Sequence, residues 1–371
     1  MRPAPLDEYP LHQTPLSFGR VATSDRNFYD RSYFNAHRRS DDLFLIAGLG
    51  VYPNLGVTDA FACIRLGDRL RTIRYSDALH HRSTSMQVGG MHIEPIEPLR
   101  TIRMVSEHED LSFDLTWNSD FLPDLEEHHL ILEGPSTLLD TSRFTQAGTW
   151  AGTIVAEGET FEVTPDLWLG TRDRSWGVRQ LGKQAGEGEP IGRPLMPANE
   201  RGFWWLYCPL MFDDFAIHVI LQEQFDGRRT MNHATRTYRD GRSEQLGWPR
   251  STIRYRSGTR IPEHATIEMT ERDGTPLVLE VDILAGVPIT VTCGYGKDRI
   301  WRHGDWKGEN WSTSTGYDAN DPEFVEQLPY ATFDWVARGT LNGREGWGMF
   351  EHAAAGRHDP SGFTDARVMA P

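Results

Sequence analysis

The chain of 371 residues has only three cysteines, Cys63, Cys208 and Cys293, far apart and never in a C-x-x-C pair. An odd, scattered set excludes a disulfide framework and a cysteine-built zinc site, and fits a reducing compartment. Long hydrophobic runs are missing as well. The longest, such as residues 43–51, fall far short of the roughly 20 residues that span a bilayer as a helix. The opening MRPAPLDEYPLHQTP lacks the apolar stretch of a secretory signal. A cytoplasmic protein without stable membrane insertion is the expectation. Basic charge is also scarce: 38 Lys and Arg against 53 Asp and Glu leave a net charge of −15. Nucleic acids and anionic membranes select clustered cations, so neither is expected as a partner. Phosphate-loop and dinucleotide fingerprints are absent, as is the G-x-S-x-G elbow of many hydrolases. His80-His81 and His128-His129 are adjacent pairs without metal-ligand spacing. No cofactor and no metal are therefore expected.

Apolar residues (38%) and charged residues (25%) are present in the proportions of a chain that buries a core. Aromatics reach 11%, with 12 tryptophans, a composition that suits strands and ligand cavities alike. The apolar period is two. Leu111, Phe113, Leu115 and Trp117 alternate with Ser112, Asp114 and Thr116, and Leu277, Leu279, Val281 and Ile283 share one face of a later run. Such alternation predicts strands with one buried and one wetter face. Asp226-Gly227, Asp240-Gly241 and Asp273-Gly274 read as hairpin turns. A short helix is predicted over 322–328, with Asp321 as its cap and Pro322 in its first turn. The fold class is thus all-β, of barrels or sandwiches. The Gly- and Pro-rich stretch GKQAGEGEPIGRPLMPANERG divides the chain into residues 1–181, a connector over 182–202, and residues 203–371. The halves show no sequence repeat.

Three strings stand out. The first is Gly170-Thr171-Arg172-Asp173-Arg174-Ser175-Trp176-Gly177. The others are Gly48-Leu49-Gly50-Val51-Tyr52-Pro53-Asn54-Leu55-Gly56 and Gly346-Trp347-Gly348-Met349-Phe350-Glu351-His352. Together they resemble the AttH-like, carotenoid 1,2-hydratase (hydroxyneurosporene synthase)-like family, over residues 28–352. That family's mark is a G-x-R-D-H-S-W-G-like segment followed by a second domain ending in a G-x-G-x-x-E strand. This chain departs from it at Arg174, where His is common, and at Thr171, where the carotenoid hydratases tend to carry Tyr. These differences bear on a carotenoid as substrate and not on the fold. The resemblance implies two consecutive lipocalin-like antiparallel β-barrels around a hydrophobic pocket. It implies water addition, isomerisation or cyclisation of an isoprenoid-like substrate without a redox cofactor.

In a strand, Thr171, Asp173 and Ser175 share one face, and Arg172, Arg174 and Trp176 the other. Facing an apolar barrel interior, Asp173 would stay protonated and could act as a general acid on an alkene, with indole faces steadying the cation. Paired with Arg172, Arg174 or Arg179, it would instead belong to a structural ion network. Trp150, Trp176, Trp204, Trp205, Tyr207 and Trp335 are the candidate ligand-binding aromatics, several of them flanking the domain junction. Glu351 and His352, as neighbours, must point to opposite faces, and a capping or inter-strand role is expected for them. His218 is expected to be a satisfied or exposed histidine. Three functions remain open: an acid-catalysing hydratase, isomerase or cyclase with a hydrophobic small-molecule substrate, a carrier of a lipid, sterol or terpenoid, or a structural partner of another enzyme with a filled core and no cavity.

Overall fold

The computed structural model describes residues 10–11, 13–81, 83–133, 136–179, 202–296, 298–328 and 331–371. The connector predicted over 182–202 lies outside the described residues up to Gly202, which opens a strand. The described chain is almost entirely antiparallel β, as its period of two demands, and is organised in two large sheets. The first runs, neighbour to neighbour, through Trp311–Asp318, Arg69–Ala78, Val57–Leu66, Leu43–Tyr52, Phe28–His37 and Leu169–Arg179. It continues through Ser136–Ala156, Leu111–Asn118, Thr101–Ser106 and Met91–Glu97 to Met86–Val88. That last strand returns against Leu43–Tyr52, Val57–Leu66 and Arg69–Ala78, which nearly closes a barrel. The second sheet holds Gly202–Met211 at its centre, flanked by Phe215–Gln224 and Arg344–Gly356, with Phe333–Leu341 beyond the latter. Its far strands meet where Gly247–Tyr255 approaches Arg229–Tyr238.

The turn chemistry is as read. Gly227, Gly241 and Gly274 all take positive φ between paired strands. The helix is shorter than predicted, Pro322–Val325, but the Asp321 side chain caps it by accepting from the Glu323 N–H at 2.9 Å. No helix among the described residues is long and apolar enough to cross a membrane.

Each sheet wraps its own apolar core. Phe34, Ala36, Trp117 and Trp150 belong to the first, and Trp204, Leu206, Leu210 and Trp335 to the second. A further cluster lies between the barrels and takes the alternate residues of the same strands: Tyr33, Trp205, Tyr207, Val336 and Met349. The strands that face each other across the molecule are therefore buried on both faces, one inside a barrel and one in the seam. The strand Trp311–Asp318 comes from the second half of the chain, yet it forms the edge of the first sheet beside Arg69–Ala78. A buried pair fastens the same segment. The Arg74 guanidinium donates to Asp298 at 2.9 Å, to the Thr292 carbonyl at 2.7 Å and to the Tyr317 hydroxyl at 2.8 Å.

Candidate active site between the barrels

The segment around Asp173 forms the strand Leu169–Arg179, held between Phe28–His37 and Ser136–Ala156. Its flanking glycines are steric necessities. A Cβ on Gly170 would collide with the Asn35 carbonyl, and Gly177, at φ 128°, sits where a side chain would strike the Asp140 carbonyl. The even-numbered residues turn into or along the first barrel. Arg172 stacks on Trp117 (4.8 Å) and donates to Gln146 at 2.8 Å, and Arg174 pairs with Asp30 at 2.9 Å. The odd-numbered residues Asp173, Ser175 and Arg179 face the seam, where a cavity of about 310 Å³ opens between the two sheets. The cavity is thus not the interior of either barrel. It is also not an apolar sac, because Arg31, Arg143, Arg179, Glu126, Asp173, Asp334 and Glu351 all line it. The expected hydrophobic pocket has an apolar share only, given by Trp205, Tyr207, Met231, Ile289 and Met349.

Register explains how the carboxyls meet. In the first sheet Tyr33, Asp173 and Thr145 lie side by side on one face, because Tyr33 pairs with Asp173 and Asp173 with Thr145. In the second, Asp334 pairs with Glu351 and Glu351 with Tyr207. The ends of the two rows are bonded to each other. The Tyr33 hydroxyl donates to Asp334 Oδ2 at 2.5 Å, and the hydroxyls of Thr145 and Tyr207 lie 2.8 Å apart. The middle members, Asp173 and Glu351, consequently face one another across the seam. They come from different barrels, and only the folded pair of domains brings them together.

Burial governs their protonation. It raises the Asp173 carboxyl above its ordinary value, with Arg143 and Arg31 pulling it part of the way back and Glu126 adding to the rise. Burial also pushes Glu351 up to about 7, opposed by Arg143 and reinforced by Asp173. Asp334, 1% exposed, is driven well above the carboxylate range by burial and then by Glu351, against the Tyr33 hydrogen bond. Its Oδ1 has no hydrogen-bond partner among the described residues. Arg143 is engaged elsewhere, donating to Glu126 at 2.7 Å and lying over the rings of Tyr207 (4.8 Å) and Trp205 (5.2 Å). Asp173 makes no ion pair among the described residues, so the feared pairing with Arg172, Arg174 or Arg179 is not its arrangement.

The aromatic candidates divide. Trp205 and Tyr207 line the cavity. Trp150 is packed in the first barrel and donates to the Asn35 carbonyl at 2.8 Å. Trp204 and Trp335 are in the second core, stacked on His358 and Phe333 respectively. Trp176 is 37% exposed, edge-on to Phe144. These four do not meet the cavity, and strand alternation is the reason: Trp204 and Trp205 cannot share a face, nor can Trp176 share one with Asp173. The same rule parts Glu351, in the cavity, from His352, which lies in the second barrel within 2.6 Å of the Trp205 carbonyl and 3.0 Å of the Tyr255 hydroxyl. Glu351 thus does more than cap a strand. Sequence reasoning missed Arg31, Asp334 and Tyr295, which no local motif marks.

One group of possible metal ligands occurs among the described residues: Asp124, His218 and His233, with donor atoms within 4.8 Å of one another. Hydrogen bonds account for its geometry. His218 Nδ1 lies 2.8 Å, His233 Nε2 2.7 Å and the Thr235 hydroxyl 2.5 Å from the single oxygen Asp124 Oδ2. Although burial works to raise Asp124, the two imidazoles hold it well below the usual carboxylate range. His218 thus joins a latch between the barrels through Nδ1, while its Nε2 is buried without a hydrogen-bond partner among the described residues, 3.6 Å from Glu126.

Comparison with known proteins bears on the whole chain. None of the curated proteins matches it in sequence. Among solved structures it is similar to kievitone hydratase from Nectria haematococca, at 13% identity over 95% of each chain and a TM-score of 0.50. It is also similar to AttH from Nitrosomonas europaea, at 13% identity over 95% of this chain and 99% of that one, with a TM-score of 0.54. These likenesses establish the AttH-like lipocalin fold that the Asp173 segment suggested. A family model covers residues 4–364, and the chain accordingly belongs to that family, a family of unknown function (DUF8625).

Proposed function

We propose that this protein is a cofactor-independent enzyme that hydrates, isomerises or cyclises an unsaturated isoprenoid- or terpenoid-like substrate by acid catalysis in the seam cavity. The observation that carries the reading is the opposed pair Asp173 and Glu351, with Asp334 beside it. These carboxyls line one cavity and burial favours their neutral form. A neutral carboxylic acid is the donor that protonation of an unactivated alkene needs. Asp173 gives its proton to one alkene carbon, the π pair forms the new C–H bond, and the adjacent carbon becomes cationic. The carboxylate left behind and the faces of Trp205 and Tyr207 stabilise that cation. In hydration a water oxygen forms the C–O bond and returns one proton to a carboxylate of the pair. In cyclisation a second double bond of the substrate attacks, and a carbon-bound proton is returned instead. That a protein of the same fold is a hydratase supports the reading without deciding the substrate.

The test is product analysis. The protein is incubated with a panel of unsaturated isoprenoids, and an organic extract of the purified protein is analysed by mass spectrometry. The proposal expects a product heavier by one water, or an isomer of unchanged mass, formed only with active protein. A bound lipid, sterol or terpenoid recovered unchanged, with no conversion of it or of the panel, would support the carrier instead.

A further inference from the structure

Among the guanidinium groups lining the cavity, Arg143 is paired with Glu126, whereas two others form no ion pair with a described residue. Arg31 is 4% exposed and forms no ion pair with a described residue. Its Nη2 donates to the Tyr295 hydroxyl at 2.5 Å, and its Nη1 is buried without a hydrogen-bond partner among the described residues. Arg179 likewise forms no ion pair with a described residue. Its guanidinium lies over Tyr29 (4.9 Å) and over the same Tyr295 ring (5.7 Å), on which Arg31 also rests (4.6 Å). Asp173 and Glu351 act on both guanidiniums through space, but burial favours the neutral form of these carboxyls, and a cation taken out of water without a bonded counter-charge is costly. Two guanidinium groups that line the cavity and converge on one tyrosine ring, without an ion pair to a described residue, are a donor set that recognises a carboxylate.

We infer that the Arg31–Arg179–Tyr295 end of the cavity is a carboxylate subsite, and that the substrate is an amphipathic organic acid held by that group. This inference rests on the seam cavity being the substrate site and adds the substrate's charge. Register gives it a length scale. Arg31 pairs with Ser175, one two-residue step along the strand from the Tyr33–Asp173 pair. At about 3.4 Å per residue, the bound carboxylate lies roughly 7 Å along the strand from the acid that protonates the substrate. The anion would orient the chain, with its unsaturated part laid over Asp173 and Glu351 and its apolar part against Trp205 and Met231.

The test compares matched acids and neutral analogues by calorimetry on the full-length protein. One pair is 4-phenylbutyrate and 4-phenylbutanamide, which contain no isoprenoid unit. The other is geranate and geraniol. In each pair the carboxylate is expected to bind at least about tenfold more tightly, since charge-assisted bonds to buried guanidinium exceed neutral ones. Arg31→Gln and Arg179→Gln should each erase the preference while sparing the neutral analogue, and Asp173→Asn should keep it. If Arg31→Gln loses its native circular dichroism, Arg179→Gln, at a partly buried position, carries the comparison. Equal affinity for acid and neutral analogue in both pairs would overturn the subsite. So would a preference surviving in the folded arginine variants, or no binding of either carboxylate at millimolar concentration. Preference for phenylbutyrate with no binding of geranate would uphold the subsite and count against the isoprenoid reading.

Discussion

At Glu351 the chemistry of the site becomes measurable through pH. Its folded-state value of about 7 stands above the ordinary 4.5 because burial, with Asp173 opposite, penalises the ionised form. The folded protein therefore holds a proton that the unfolded chain gives up, and ionisation works against the fold as pH rises from about 4.5 to about 7. Arg143, Arg179 and Arg31 face the same group and limit the rise without cancelling it. Glu351→Gln, a neutral mimic of the protonated acid, should remove that part of the slope. Denaturant unfolding of both proteins between pH 4.5 and 8 checks it, and parallel curves would show that Glu351 is ionised throughout. Turnover should fall as rising pH ionises Asp173, the proton donor, whose carboxyl burial holds above its ordinary value.

A single strand, Gly202–Met211, shows how period two sorts adjacent residues into different jobs. Trp204 fills the second barrel, its indole N–H 3.4 Å from the Tyr255 hydroxyl, while Trp205 lines the cavity. Trp204→Phe should therefore cost stability, about 1–3 kcal/mol, and leave ligand affinity near wild type. Trp205→Phe should do the reverse and abolish most ligand-induced fluorescence quenching. Paired melting and titration curves decide it, and equal effects of the two substitutions would mean that the assignment of faces is wrong. The alternation that separates these tryptophans is legible in the sequence, as are the all-β class, the Asp-Gly turns and the Asp321 cap. Asp173 is legible because the residues around it are sequence neighbours in one strand. Asp334, Tyr295 and Arg31 are not, since they reach the cavity from segments some three hundred positions apart and obey no spacing. The site's place in the seam could not be read either. A strand buried on both faces looks like a barrel strand, and nothing local says that its second face meets another barrel.

Across the whole molecule, the halves are interlocked rather than simply linked. The strand Trp311–Asp318 completes the edge of the first sheet, Asp298 neutralises the fully buried Arg74, and Asp124 latches onto His218 and His233. Expressed alone, residues 1–181 would leave Arg74 buried and unpaired, a loss on the order of 3–5 kcal/mol. That fragment should fail to give a cooperative melting transition, and a well-folded fragment would argue for independent barrels. Because the imidazoles of the latch are committed to Asp124, prolonged treatment with a chelator should change neither melting temperature nor turnover. Stoichiometric metal in the purified protein, lost together with stability on chelation, would contradict this.

The central claim is that Asp173, opposed to Glu351 in the seam between the barrels, is the acid. Its most direct test is Asp173→Asn, with turnover, ligand affinity and melting temperature measured on the same preparation. The account predicts turnover lower by about 10²–10⁴-fold, with affinity and melting temperature close to wild type. A folded variant that turns over at the wild-type rate would contradict it.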